Sequence, residues 1–397
     1  MLRKIFFCYE CLEHSYIPEK LPTRENIRRE ISASVERFLN ISSRGFWSVH
    51  IYGNVGTGKT VLSRRIAKDI TDRNNDILTC YVNCRFSRRI YRVLADIAKQ
   101  ISDELPTRGL SKDEFLDLIF VVAKEKASSI ILILDEIDSL FWGEEGKKTA
   151  DILYSFSRFA ERKMDLDLRI AVISISRNQD YIYKWLDAAT RASFIKSTKY
   201  LSQYSSKDLF KILKYRSSLA IHPDAINEET LRFIATFVGN QAQGNARIAI
   251  DLLKMAGEIA EAQGDEQIRP EHIRIAIKEY AIIPSVDIES ILALGKQKLI
   301  LLLAIIRALK QTKRSFVTKN MVQEYYEEIC HEYNETPRRY IQTWRYLREM
   351  EHELCGILEL HVTGKNQKGR STRILINAPL DDLERNIVAI IKRKYQT

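Results

Sequence analysis

Gly53-Asn-Val-Gly-Thr-Gly-Lys-Thr60 fits the pattern G-x-x-x-x-G-K-[ST], and no other eight residues restrict the fold of this chain as much. The pattern works only where a strand delivers the loop and a helix leaves it. The glycines let backbone N–H groups wrap a phosphate, and the helix N-terminus adds a favourable dipole. Both flanks comply: Val49 and Ile51 precede the loop, and Val61, Leu62, Ile66 and Ile70 repeat at helical spacing after it. Asn54, Val55, Gly56, Thr57, Gly58, Lys59, Thr60 and Val61 are therefore the expected cradle of a nucleotide. Lys59 is placed to reach the β- and γ-phosphates and Thr60 to hold Mg2+.

A second motif completes the chemistry. Ile130-Ile-Leu-Ile-Leu-Asp-Glu-Ile-Asp138 is an apolar strand ending in carboxylates. In open α/β sheets, ligands bind at that C-terminal edge. Asp135 is expected to contact Mg2+ through its water shell, and Glu136 to orient or deprotonate an attacking water. Lys59, Asp135 and Glu136 are thus the candidate catalytic groups, with ATP or ADP and Mg2+ as the implied ligands. Further strand-like runs at Ser48–Tyr52, Ile77–Val82 and Ile170–Ile175 alternate with helical patterns. Such runs read as buried parallel strands.

The chain has 397 residues, too many for one core. Residues 1–200 read as an α/β phosphate-loop core with an opening segment at 1–25. Residues 201–284 read as an all-helical lid, and residues 296–390 as a separate domain. The most apolar stretch, Leu299–Ala308, is half of what a bilayer span needs, so no membrane role is expected. Six cysteines are too few for a disulfide framework, which suggests reduced thiols and a cytoplasmic, nucleoid-associated location. Cys8, Cys11 and His14 are spaced as metal ligands are, but no fourth ligand is near. Ordinary thiols are the expectation there.

Charge is unevenly spread. Lys296–Thr397 holds 19 Lys and Arg against 12 Asp and Glu, which is +7 of the total +10. Thr336 with Pro337 reads as a helix start, followed by a buried stripe of Ile341, Trp344, Leu347 and Leu354. Arg338, Arg339, Gln342, Thr343 and Arg345 fall on the other face. A hairpin follows, Ile357–Val362 and Arg373–Ile376, joined by a basic tip with Lys365, Lys368 and Arg370. Helices, a basic helix and a hairpin read as a winged helix-turn-helix. Its basic helix suits a DNA major groove, and Lys365, Lys368, Arg370 and Arg373 suit nearby phosphates.

Together these motifs resemble the AAA+ class, and more narrowly the archaeal replication initiators related to origin recognition complex subunit one and Cdc-six. Pro18-Glu-Lys-Leu-Pro-Thr-Arg-Glu25 is similar to the family's motif before the first helix. Tyr81-Val-Asn-Cys-Arg85 and Leu134-Asp-Glu-Ile-Asp-Ser-Leu140 resemble its second strand and Walker B region, and Gly244-Asn-Ala-Arg247 its sensor 2. The resemblance implies an AAA+ parallel sheet with an α-helical lid, then a winged helix. It also implies nucleotide contacts from Tyr204, Arg216 and Arg247, and a further DNA contact from Arg85, Arg88, Arg89 and Arg92. Duplex origin DNA, paralogous initiators and the replicative helicase are the implied partners.

Two departures from the family touch the γ-phosphate chemistry. The sensor 1 run is Ser174-Ile-Ser-Arg177, with Asn178 one residue late. The Leu-Asp-x-Arg element is Leu186-Asp-Ala-Ala-Thr-Arg191, which displaces the arginine finger. Slow ATP turnover serving as a switch is the expectation. A promoter-binding regulator of the same architecture is the alternative, and a clamp-loading or motor ATPase is disfavoured by the displaced finger.

Overall fold

The structure is a computed structural model that describes residues 5–41, 44–106, 109–163, 165–280, 288–354, 356–362 and 372–395. It divides into two compact units, Ile17–Gln203 and Met1–Tyr16 joined with Tyr204–Thr397.

The first unit contains α1 (Glu25–Ile41), β1 (Gly45–Tyr52), α2 (Lys59–Thr71), β2 (Ile77–Asn83), α3 (Cys84–Ser87), α4 (Ile90–Ile101) and α5 (Lys112–Lys126). β3 (Ser129–Asp135), α6 (Gly143–Arg162), β4 (Arg169–Ser176), α7 (Gln179–Tyr183), α8 (Ala188–Phe194) and β5 (Thr198–Tyr200) follow. The strands form one parallel sheet in the order β2-β3-β4-β1-β5. Alternate residues of β3 serve opposite faces. Ile130, Leu132 and Leu134 pack with α4, α5 and α6, whereas Ile131 and Ile133 pack with α1 and α2. Burial on both faces is why β3 reads as an unbroken apolar run, and each such side chain contributes about 1.5–3 kcal/mol. The edge strand β5 is three residues long with Tyr200 exposed, too short and too polar to announce itself as a strand.

The second unit holds the four lid helices α9 (Ser206–Ala220), α10 (Glu228–Gln241), α11 (Ala246–Gln263) and α12 (Pro270–Glu279). Ser205 and Asp208 close a capping box at the start of α9, and Asn227 caps α10. Residues 5–16 belong here rather than with the α/β core where the sequence reading put them. Phe6 bridges to Ile221, and Ile5, Phe6 and Leu12 lie in the lid core. Gly257 leaves room for the Phe6 ring, since a Cβ there would lie 2.2 Å from it. Cys8 and Cys11 form a disulfide across one turn of 3-10 helix, which corrects the expectation of ordinary thiols at that pair. No metal-binding cluster occurs among the described residues.

The same unit continues with α13 (Ile288–Ala293), α14 (Lys296–Thr312), β6 (Val317–Thr318), α15 (Lys319–Glu332), α16 (Tyr340–Glu353), β7 (Leu358–Val362), β8 (Thr372–Ile376) and α17 (Leu380–Tyr395). The three strands pair antiparallel in the order β6-β8-β7, and α14 is buried almost all round by the winged-helix core. The hairpin matches expectation; β6 and α17 were not anticipated. Polar bolts join lid to winged helix. Arg274, 1% exposed, donates from Nε to the Ile376 carbonyl at 2.8 Å and pairs with Glu271 at 3.2 Å. Glu229 accepts from the Ser315 N–H and hydroxyl at 2.8 and 2.7 Å. Glu359 accepts from Asn240, Gln241 and Asn377. No described helix is long and apolar enough to cross a membrane.

Candidate functional site

The phosphate loop leaves β1 and opens α2 because its three glycines, Gly53, Gly56 and Gly58, all adopt positive φ. Gly58 caps α2 at φ 85, and Gly53 sits at φ 148 where a Cβ would lie 2.3 Å from the Leu201 carbonyl. Asn54 and Val55 are exposed at the loop tip, Gly56 is half-buried, and buried Thr57 donates its hydroxyl to the Asn54 carbonyl at 2.9 Å. Val61 packs on the α1–α2 side of the sheet. Lys59 Nζ donates to the Gly53 and Asn54 carbonyls at 2.7 Å each. Burial pulls its ammonium down to about 8, against the opposing pull of Asp135 and Asp138.

The acidic strand end meets this loop. Register sets Asn83 of β2 beside Asp135 of β3, and Thr60 Oγ1 donates to Asp135 Oδ2 at 2.7 Å. The two proposed Mg2+ ligands are therefore already side by side, an all-oxygen set of the kind Mg2+ prefers. Asp135 Oδ1 accepts the Glu136 N–H at 2.9 Å. Glu136 itself has φ 51 and ψ 42, an unusual backbone for glutamate.

The sequence places Arg177 near the γ-phosphate chemistry, but it assigns neither Tyr81 nor Arg85 to the acidic strand end. Tyr81 donates its hydroxyl to Asp135 Oδ2 at 3.0 Å, with the Arg64 guanidinium over its ring. Burial, followed by Asp135, pushes the phenol upward. Arg177 and Arg85 both face Glu136 Oε1, at 3.2 and 3.7 Å. The period-2 pattern of β2 puts Tyr81 and Asn83 on one face, which is the available signal for the tyrosine; nothing local announces that Arg85 turns toward Glu136. Asp138 accepts weakly from the Arg177 N–H, and burial raises its carboxyl above the usual range. Arg191 donates from Nη2 to the Tyr183 and Leu186 carbonyls and stacks on Tyr183.

Tyr204, Arg216 and Arg247 lie in the second unit. Tyr204 is buried in the lid core, its carbonyl against Gly244. Arg247 is exposed in the first turn of α11, where the Asn245 side chain accepts its N–H at 3.0 Å. Arg216 is 5% exposed, stacks on Tyr16 and donates to the Glu13 carbonyl at 3.1 Å. Its Nε has no hydrogen-bond partner among the described residues. Burial draws it down to about 10.

On the winged helix, α16 begins at Tyr340, so Thr336 and Pro337 do not start it; Arg338 and Arg339 stand exposed just before the helix. The buried stripe is Thr343, Leu347, Met350 and Leu354. This corrects two expectations: Ile341 is 83% exposed, and Thr343 faces the core rather than solvent. Burial of Thr343 is tolerated because its hydroxyl is satisfied by the Tyr340 carbonyl and by Gln323. Gln342 is half-buried and bonds Tyr346, whereas Arg345 is exposed beside Glu349. Lys319 lies over the Tyr340 and Trp344 rings. Arg373 sits on β8 with its guanidinium over Phe316. Lys365, Lys368 and Arg370 lie outside the described residues. In the first unit, Arg85, Arg88, Arg89 and Arg92 are all exposed around Phe86, which is 83% exposed.

Family comparisons agree with this architecture. Residues 47–172 match the family model for an AAA domain, residues 210–278 that for the Cdc6 AAA+ ATPase-type lid domain, and residues 289–386 that for the CDC6 C-terminal winged helix domain. The ORC1-type DNA replication protein 2 of Saccharolobus solfataricus is 33% identical over 379 residues, 93% of this chain and 90% of that protein. The crystal structure of Cdc6p from Pyrobaculum aerophilum has a TM-score of 0.82 and 29% identity, covering 99% of this chain and all of that one. The Aeropyrum pernix ORC1 protein, solved in complex with DNA, shares the fold at a TM-score of 0.62 and 23% identity, covering 99% of this chain and 100% of that one. With an AAA domain, a Cdc6-type lid and a Cdc6-type winged helix in one chain, this protein belongs to the archaeal ORC1/Cdc6 family of DNA replication initiators.

Proposed function

We propose that the protein binds duplex DNA at replication origins and uses ATP binding with slow hydrolysis as its switch. The observation that carries the nucleotide half is the 2.7 Å bond between Thr60 and Asp135, which joins the phosphate loop to the acidic strand end. Lys59 would exchange its two loop carbonyls for the β- and γ-phosphates, and backbone N–H groups from Asn54 to Val61 would wrap them. Thr60 and Asp135 would hold Mg2+, which when bound neutralises phosphate charge. Glu136 would take the proton of the attacking water. In the lid, Arg216 is a buried cation that meets the Glu13 carbonyl and the Tyr16 ring, with no carboxylate paired to it among the described residues, and that supports a role toward an anion. Tyr204 and Arg247 are proposed as further nucleotide contacts.

The DNA half rests on the exposed Arg338, Arg339 and Arg345 at the start of α16, with Gln342 between them and Ile341 projecting to solvent. The DNA complex of the Aeropyrum pernix relative supports this reading. Arg373 and the basic hairpin tip would add phosphate contacts, and Arg85, Arg88, Arg89 and Arg92 a second DNA-facing patch. Paralogous initiators and the replicative helicase are the proposed protein partners. Genome-wide mapping of bound sites tests the role: peaks at replication origins are expected, and peaks confined to promoters would replace initiation by transcriptional regulation.

A further inference from the structure

Glu136, the proposed base, is engaged by its neighbours in this structure. Its N–H is pinned by Asp135 Oδ1, so only side-chain rotation can re-aim the carboxylate. Arg177 donates to Oε1 at 3.2 Å, and Arg85 approaches the same oxygen at 3.7 Å. Arg177 is itself held in place, its N–H directed at Asp138 Oδ2 at 3.4 Å. It follows Ser176, the last residue of β4, which the parallel register sets opposite Tyr52 of β1 just before the phosphate loop. An arginine therefore reaches the base from the end of the strand that neighbours the one delivering the phosphate loop.

From this geometry we infer that Arg177 is a positioning residue that restrains Glu136 and keeps ATP hydrolysis slow. The inference rests on the hydrolytic reading of the site. In that reaction the water oxygen bonds to the γ-phosphorus, the bond to the β-phosphate bridging oxygen breaks, ADP leaves, and the water proton passes to Glu136. A carboxylate engaged by a guanidinium offers that proton one lone pair fewer, and is aimed at the arginine rather than at the water. The pair is partly solvated, with side chains 51% and 26% exposed. Such a pair restrains modestly, so its removal is worth a factor of about five in the population of free Glu136.

The experiment is single- and multiple-turnover hydrolysis of Mg-ATP by the full-length protein, with ATP affinity measured separately. Arg177→Asn is expected to raise kcat about fivefold while KM and ATP affinity stay within about twofold. Arg177→Lys should restore the slow rate in part, which loss of structure would not produce. The gain should vanish in Arg177→Asn/Glu136→Gln. Because Arg177 is half-exposed, both variants should fold, and unchanged thermal unfolding checks this. An unchanged or lower kcat with intact ATP binding overturns the restraint and makes Arg177 a contributor to the reaction or a bystander. ATP binding without Glu136-dependent hydrolysis in either background removes the hydrolytic reading itself, and the restraint with it.

Discussion

Lys59 shows how one side chain links fold to ligand. The loop buries its amine against two backbone carbonyls, and that desolvation brings the ammonium down to about 8. In the free protein the charge is present below that pH and is lost above it. A bound phosphate anion raises the value again, so binding takes up a proton in the window from about 8 to the bound value. ADP affinity should consequently fall as the pH is raised from 7 to 9.5, by up to about tenfold per unit in the steep region. Calorimetry in buffers of different ionisation heat should register the proton uptake. Lys59→Ala should abolish both the binding and the pH dependence while leaving most duplex-DNA affinity. A pH-independent affinity in the wild-type protein would reject the assignment.

At the scale of the element, α16 separates a packing stripe from a reading surface. Leu347 lies in the stripe at 1% exposure, and Ile341 lies off it at 83%. Leu347→Ala should destabilise the domain by about 2–5 kcal/mol, whereas Ile341→Ala should change stability by no more than about 0.5 kcal/mol; urea unfolding distinguishes them. Arg338 and Arg339 replaced together by Ala should weaken duplex binding and lower the slope of log affinity against log salt by about two. An unchanged slope would dismiss this helix start as a phosphate contact. The helix is legible from its apolar spacing, and Leu347 and Leu354 lie in the stripe as expected, but its first turn is assigned to the wrong faces. Ile341 is the more apolar residue, yet Thr343 sits at the right angle and its hydroxyl finds acceptors on Tyr340 and Gln323. Hydrophobicity alone ranks the two the other way.

Across the whole molecule, the lid and winged helix share one compact unit, joined by the buried Arg274, by Glu229 and by Glu359. Arg274→Ala leaves Glu271 without its cation and the Ile376 carbonyl without its donor, a change expected to cost about 3 kcal/mol. Hydrogen exchange should then show α12, β6 and β8 losing protection together. Loss confined to α12 would mean that the two domains open independently. The N-terminal residues belong to this unit as well, because Ile5, Phe6 and Leu12 find their apolar partners in the lid.

The sequence by itself determined the nucleotide loop, the acidic strand end, the apolar runs of the central strands and the basic helix, because each is local. A loop between a strand and a helix, an apolar run ending in acids and a cluster of arginines are complete within some ten residues. Only tertiary structure decided the rest. That Arg177 and Arg85 converge on Glu136, that Tyr81 reaches Asp135, and that Arg274 bolts the lid to β8 are contacts between residues 41, 51, 54 and 102 positions apart. No periodicity encodes them. They follow from sheet register and domain packing, which place side chains that carry no mark of each other in the linear chain.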